Sequence, residues 1–529
     1  MQRRTILTGT AASLLLPLAR PALSQPAVAK SARILRFVPQ ANLANPDPVW
    51  TTATVAINHG YMVWDTLYGI DDTLVARPQM VAGQTVSDDR LTWEFTLRDG
   101  LRFHDGEPVR AIDCTTSINR WAQRNPFGTQ LLHQTEEMAP IDDRRFRIRL
   151  NSPFPQMLYA LGAGSCFVMP ERVAKTPASQ QISEYVGSGP YRFLPKEWVS
   201  GVSAAYERFD GYQPRSEPPQ WFSGGKVAHF DRVEWIVQPD PATAAAALRT
   251  GEVDWLEQPL IDLVGDMKRM QGVKVASYDA LGLLAMVVVN HLHPPFDNPA
   301  ILRALIGATV QSDDVGAVVG DQTELGVVPA GFFVVGSPMA STVGFSALTS
   351  PRSVTASRAA LKAAGYNGEK VTLMAASDQP ALMSIAQVTQ ALWKQLGLNV
   401  DFQVMDWGTL VARRAKQDEP SAGGWNAFCT TWAGLSVTNP GSSYPLQAIG
   451  RQGWLGWYDN PAMTALRERW MNTEDLPTQK AICEDIQREA FDKPPFLPLG
   501  QWRQPWAFRT SLKNLVQCGN VLFWGVERV

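Results

Sequence analysis

Between Leu91 and Asp113 the chain reads LTWEFTLRDGLRFHDGEPVRAID, and few folds accommodate that order of signals. Trp93, Phe95 and Leu97 alternate, so an extended segment places them on one face. Asp99-Gly100 and Asp105-Gly106 are turn signals, because glycine accepts a positive φ without steric cost. Beyond Pro108, Cys114, Ile118 and Trp121 recur at helical spacing. The segment predicts a strand, a tight turn, a second short strand, another turn and a helix start. That mixture belongs to an α/β scaffold, and the segment holds no catalytic constellation.

The N-terminus carries a different message. Arg3-Arg4 precede an uncharged apolar stretch from Ile6 to Leu18, followed by Arg20, Pro21 and the small-residue site Ala22-Leu23-Ser24. This is the layout of a removable export signal over residues 1–24, too short to span a bilayer, where about 20 apolar residues are needed. Arg-Arg-Thr-Ile-Leu fits a twin-arginine (Tat) signal as well as a Sec signal. No cysteine near the site offers a lipoprotein anchor, so the mature chain is expected free in a periplasm. Removing residues 1–24 takes three of the 48 basic residues and none of the 50 acidic ones, leaving a formal net charge of −5. That mild acidity argues against nucleic acid or an anionic membrane surface as partner. No later apolar run reaches membrane length; the densest, Leu281–Val289, reads as a buried strand. A chain of 529 residues that is 45% hydrophobic can bury more than one core.

Five cysteines (Cys114, Cys166, Cys429, Cys483, Cys518) permit disulfides in an exported protein with at least one thiol left over, and their spacing fits no metal site. Helix and strand signals alternate along the whole chain. Arg145–Leu150 alternates again, and Val186-Gly187-Ser188-Gly189-Pro190-Tyr191 is a glycine-rich turn into a strand. Pro190 stands where a phosphate loop would need Gly-Lys-Ser/Thr. Ala242–Arg249 predicts a helix capped by Gly251. Val371–Ala375, Ala381–Leu396 and Asn399–Val404 predict a βαβ unit with two parallel strands.

Several of these stretches, in this order, resemble the extracytoplasmic solute-binding proteins of family 5, which serve peptide- and nickel-type ABC importers. The resemblance rests on Leu91–Asp113, on Gly187-Ser188-Gly189-Pro190-Tyr191, on Glu252-Val253-Asp254 after the alanine-rich helix, and on Asn290, Pro295-Phe296 and Arg303. It implies a two-lobed α/β periplasmic-binding-protein fold with a discontinuous first lobe, an extra subdomain and a hinge that closes over a ligand. The expected divisions are lobe I over 25–284, with the subdomain at about 75–185, lobe II over 285–490, and a return to lobe I over 491–529 through Pro494–Pro498. The implied function is delivery of a small organic solute to an inner-membrane ABC permease by a monomer with no cofactor, no nucleic acid partner and no membrane insertion. In this reading the subdomain contributes little to the ligand.

The site residues need their own argument. In peptide-binding members of the family a Trp is followed three residues later by an Asp that pairs with the peptide ammonium. Trp432 matches the Trp, but Leu435 stands at the Asp position and Asn426–Pro440 holds no acid. A desolvated ammonium without a partner costs several kcal/mol, so a free peptide amino terminus is not expected here. Asn439 offers a neutral amide. Trp407 follows Met405-Asp406 at a predicted strand's carboxyl end, where α/β sheets present ligands. Tyr444, with Trp454 and Trp457, lies in a Gly/Ser-rich stretch able to fold over a cleft, and Asn45 and Trp50 resemble the family's first cleft-facing loop. Arg413-Arg414 have the chemistry to meet a carboxylate, although two arginines on a helix are usually solvated.

The rival class is an exported serine hydrolase of penicillin-interacting type, on the Ser-x-x-Lys of Ser223 and Lys226. Its glycines, Gly224-Gly225, argue for a loop instead of the helix start such enzymes use. A ligand-sensing binding protein is a third reading. His291-x-His293 is a weak nickel or copper pair.

Overall fold

The computed structural model describes residues 33–529; the predicted export signal, residues 1–24, lies outside the described residues. Two large sheets organise the chain. The first has seven strands in the order Val273–Ala276, Trp506–Arg509, Trp255–Leu256, Ile34–Val38, Arg232–Ile236, Ser203–Arg208 and Tyr191–Phe193. The second has six, in the order Gly326–Val327, Phe496–Trp502, Leu283–Val289, Ala427–Ala433, Lys370–Ala376 and Asn399–Met405.

The predicted βαβ unit is present. Lys370–Ala376 and Asn399–Met405 pair in parallel, joined by the helix Pro380–Leu396. Leu283–Val289 is the buried strand its run of apolar residues predicts, with Leu284 through Val289 all buried on both faces. The alanine-rich helix runs Pro241–Thr250 and ends on Gly251, whose N–H bonds the Ala247 carbonyl.

Residues 277–282 carry the chain from the first sheet to the second, and residues 503–505 carry it back. The expected boundary at 284/285 therefore stands two residues late, and the expected return at 491 comes twelve residues too early. Leu283 and Leu284 already pair with Trp502 and Gln501, and Phe496-Leu497-Pro498 opens a strand of the second sheet instead of leading the chain away. The two crossings are paired at both ends, Ala276 with Trp506 on one side and Leu283 with Trp502 on the other, although their lengths differ. Gly282 has φ +62° in this ribbon, and a Cβ there would overlap the Trp502 carbonyl, so only glycine fits.

The opening segment lies in a four-stranded antiparallel sheet, Val81–Val86, Thr92–Leu97, Arg145–Leu150 and Thr135–Pro140. Phe95 and Leu97 are buried, and the helix Ala111–Ala122 buries Cys114, Ile118 and Trp121 as predicted. The second short strand is reduced to one bridge, Arg102 to Pro108. His104 explains why the segment and the glycine-rich turn belong together. The Gly187 N–H donates to His104 Nδ1 (3.1 Å), which leaves the ring hydrogen on Nε2 to donate to the Gly189 carbonyl (3.0 Å). Burial lowers this histidine's pKa to about 4, so it stays neutral. A Cβ on Gly187 would collide with the Val63 carbonyl, which accounts for the glycine.

Although this subdomain is inserted between pieces of the first sheet, its apolar core is continuous with that of the second. Phe127 meets Trp470 at 6.4 Å between ring centroids. All five cysteines are buried free thiols.

Candidate functional site

A cavity of about 570 Å³ opens between the two halves of the chain. The second sheet supplies Leu283, Thr430 to Ala433 and Trp502, and the first sheet's side supplies Gln40 and Gln258, just past two of its strands, with Thr54, Ile57 and Tyr61 of the helix Thr54–Val63. That volume suits a small organic molecule. The strand Ala427–Ala433 brings Thr430, Thr431 and Trp432 to it, and the turn that follows brings Leu435. Asp406 caps the helix Trp407–Arg413 by accepting the Thr409 N–H, and this fixes Trp407 at the wall. Trp432 stacks on Tyr444 (centroids 5.7 Å, 19° between planes) and meets Trp454 edge-on at 5.3 Å. Such a cluster offers flat apolar contact with rotamers already held.

Of the residues singled out in the sequence, Trp50, Trp407, Trp432, Leu435 and Tyr444 line the cavity together, with Trp454 and Trp457 beside them. Asn439 and Asn45 are not among its lining residues. The Asn439 amide donates to the Tyr159 hydroxyl (3.1 Å) and accepts from the Ser442 N–H (2.9 Å), so its polar groups tie a loop to the subdomain. Asn45 Oδ1 accepts the Asp47 N–H at 2.8 Å, a turn contact within its own loop. The residue in that loop with the larger part is Asp47. Its carboxylate takes Arg120 in two bonds, 2.7 and 3.2 Å, and the N–H groups of Val49, Trp50 and Ile182. This pins Val49 and Trp50 at the cavity edge.

The subdomain contributes more than expected. Trp121, Gln123, Arg124 and Asn125, at and just beyond the end of the helix that the opening segment starts, line the cavity. Asn125 caps the next helix, Pro126–Gln134, while its amide donates to the Tyr444 hydroxyl at 3.1 Å. Gln379 Nε2 bonds the Gln40 carbonyl (3.0 Å), a direct link from the second sheet's side to the first.

Arg414 is the residue that solvated-helix reasoning missed. It lines the cavity and is 5% exposed. Its guanidinium carbon lies 5.3 Å from the centroid of the Trp407 ring and 5.8 Å from that of Phe428. Burial lowers its pKa to about 10, so it is charged at neutral pH. Arg413, its neighbour, instead donates to the Gln403 amide oxygen and to the Gly423 and Gly424 carbonyls.

The hydrolase pair does not form a site. Lys226 Nζ sits 2.7 Å from Asp65 Oδ1, both side chains fully buried, and Ser223 Oγ donates to the Gln220 carbonyl at 3.0 Å. His291 and His293 each direct Nε2 at a backbone carbonyl, those of Pro495 (3.1 Å) and Gln417 (3.0 Å). Among the described residues no helix is long and apolar enough to cross a membrane.

Comparison with known proteins agrees with this arrangement. The profile described as bacterial extracellular solute-binding proteins, family 5 Middle, matches residues 75–453. "Probable peptide ABC transporter periplasmic-binding protein y4tO" of Sinorhizobium fredii is 34% identical over 494 residues, covering 92% of each chain. Among solved structures, the periplasmic binding protein AgaA of A. tumefaciens R10 with agropinic acid superposes with a TM-score of 0.78 at 19% identity, covering 94% of this chain and 99% of that one. The oligopeptide-binding protein AppA of Bacillus subtilis with a nonapeptide gives 0.79 at 17% identity, covering 94% and 99%. At these identities the two structures speak to the fold alone.

Proposed function

Since the chain belongs to the bacterial extracellular solute-binding proteins of family 5, we propose that it holds a small organic solute between its two sheets and passes it to the permease of an ABC importer. The sheets act as lobes: the solute settles on one wall, the other wall rocks onto it, and the closed form docks. The observation that carries this reading is the cavity, walled by the second sheet and by the loops and helix on the first sheet's side, with two short crossings as the covalent links between the sheets. Trp50, Trp407, Trp432, Leu435 and Tyr444 provide the contact surface. A micromolar affinity, about −8 kcal/mol, has to cover the ordering of the closed state as well. Export to the periplasm fits the predicted signal at residues 1–24, and no covalent chemistry takes place on the solute.

The acid expected of a peptide-binding site is absent in a second sense. Leu435 lines the cavity where an Asp would meet a peptide ammonium, and no other lining residue is acidic. A free amino-terminal peptide is therefore a poor cargo.

The test uses the full-length protein purified from a periplasm. Denaturation should release a small molecule, identified by mass spectrometry, that rebinds the refolded protein and reduces its radius of gyration in solution scattering. Release of nothing, with no compaction by any solute, would refute the reading. Turnover of that molecule, lost in Ser223→Ala, would return the hydrolase.

A further inference from the structure

Building on the solute-binding reading, we propose that the cargo is an organic anion whose carboxylate is taken by Arg414, with a flat or apolar body against Trp407 and Trp432.

The charge of the cavity wall is one-sided. Its lining residues include Arg124, Arg414 and Arg451 and no Asp, Glu or Lys. Arg124 and Arg451 are exposed, and both are partly engaged, with the Trp50 carbonyl and the Gln417 amide. Arg414 is different. Among the described residues its side chain has no hydrogen bond and no ion pair, and its Nε is buried without a partner. Only the aromatic faces of Trp407 and Phe428 accompany the charge.

A guanidinium largely stripped of water and left unpaired is costly, and packing it against rings recovers only part of that cost. A carboxylate entering the cavity supplies the missing partner, and the planar fork of arginine receives two oxygens at once. A cation would meet positive charge with no compensating acid, and a neutral solute would leave the guanidinium as it is. A zwitterionic peptide satisfies Arg414 with one end but leaves its ammonium unpaired. The walls therefore select an anion without an essential ammonium, of which an N-blocked peptide, a sugar acid or an aromatic acid are instances.

The probe is benzoate, which joins one ring to one carboxylate; benzamide and benzylammonium keep the ring and change the charge. Calorimetric titration of the refolded full-length protein should show millimolar binding of benzoate and binding at least about tenfold weaker for the other two, which is about 1.4 kcal/mol. Arg414→Gln should erase that preference and Arg413→Gln should keep it. If the glutamine chain does not fold, Arg414→Lys serves: charge without the fork should weaken benzoate by about tenfold while acids still outrank amides. No benzoate binding, equal binding of the three, or a preference that survives loss of the guanidinium overturns the proposal. The molecule released from the native protein separates the two readings. If it rebinds but carries no carboxylate, the anion inference falls while solute binding stands.

Discussion

Lys226 and Arg414 are both buried cations, placed in opposite circumstances. Lys226 meets Asp65 at 2.7 Å and lies over the Trp524 ring at 4.8 Å. Asp65 in turn accepts the Tyr212 hydroxyl (2.7 Å) and, through Oδ1, the Thr66 N–H. Arg120 and Asp47 form a second such closed group, 2% and 1% exposed. At the cavity wall, Arg414 has neighbouring rings and no anion. The first two pairs are parts of the scaffold, complete without any visitor. The third is half of a pair, and what completes it has to come from outside. Pairing, more than burial or charge, separates a structural ion from a binding one.

The largest effect should come from opening a closed pair. Asp65→Ala strands the Lys226 ammonium and should cost about 3–5 kcal/mol in urea denaturation, while the apolar double replacement Asp65→Leu/Lys226→Met should recover much of that loss. If the single and double variants lose equally, the pair is not what matters. Next comes an unpaired acid away from the cavity. Burial pushes the Asp314 carboxyl up to about 8, so the folded chain binds its proton more tightly than the unfolded one. The stability tied to that proton is complete below about pH 4 and is lost as the pH rises towards 8. Asp314→Asn should therefore stabilise at pH 8, by about 1–2 kcal/mol, and change little at pH 4. A pH-independent effect would contradict this. A smaller change is expected of Arg414→Met, which should leave the solute-free protein as stable as before or up to about 1 kcal/mol more so. A loss of several kcal/mol would mean that Arg414 is a scaffold ion after all. Least of all, Glu474→Ala removes the exposed pair with Arg90, 67% and 58% exposed, and should alter stability in urea denaturation by under about 0.5 kcal/mol.

What the sequence disclosed and what it concealed divide along a physical line. Periodicity revealed Leu283–Val289 and the unit from Lys370 to Met405, because burial of a face repeats locally along the chain. Trp407 and Tyr444 were legible at the cavity through their setting, whereas Trp50, Trp432 and Leu435 were legible only through the resemblance to the family. The errors concern partners. Asn439 bonds Tyr159, 280 positions away, and Asp47 bonds Arg120, 73 positions away. Nothing local distinguishes a polar side chain that will find such a partner from one that will not. Arg413 and Arg414 are adjacent in sequence, yet one is spent on carbonyls and the other left open. The role of Trp121 and Arg124 at the wall was concealed for the same reason: a scaffold helix shows its packed face in sequence, but not what lies beyond its end.

The pairing of the two crossings at both their ends has a mechanical meaning. A single tether would let one half swivel about it in any direction. Here two plies are clamped opposite each other at Ala276–Trp506 and again at Leu283–Trp502, so neither can twist without carrying the other. Such a strap should resist torsion and yield along one line, as the proposed closure requires. Every solute that fits, whatever its shape, would then be greeted by the same stroke, and a permease would need to recognise only the end of that stroke.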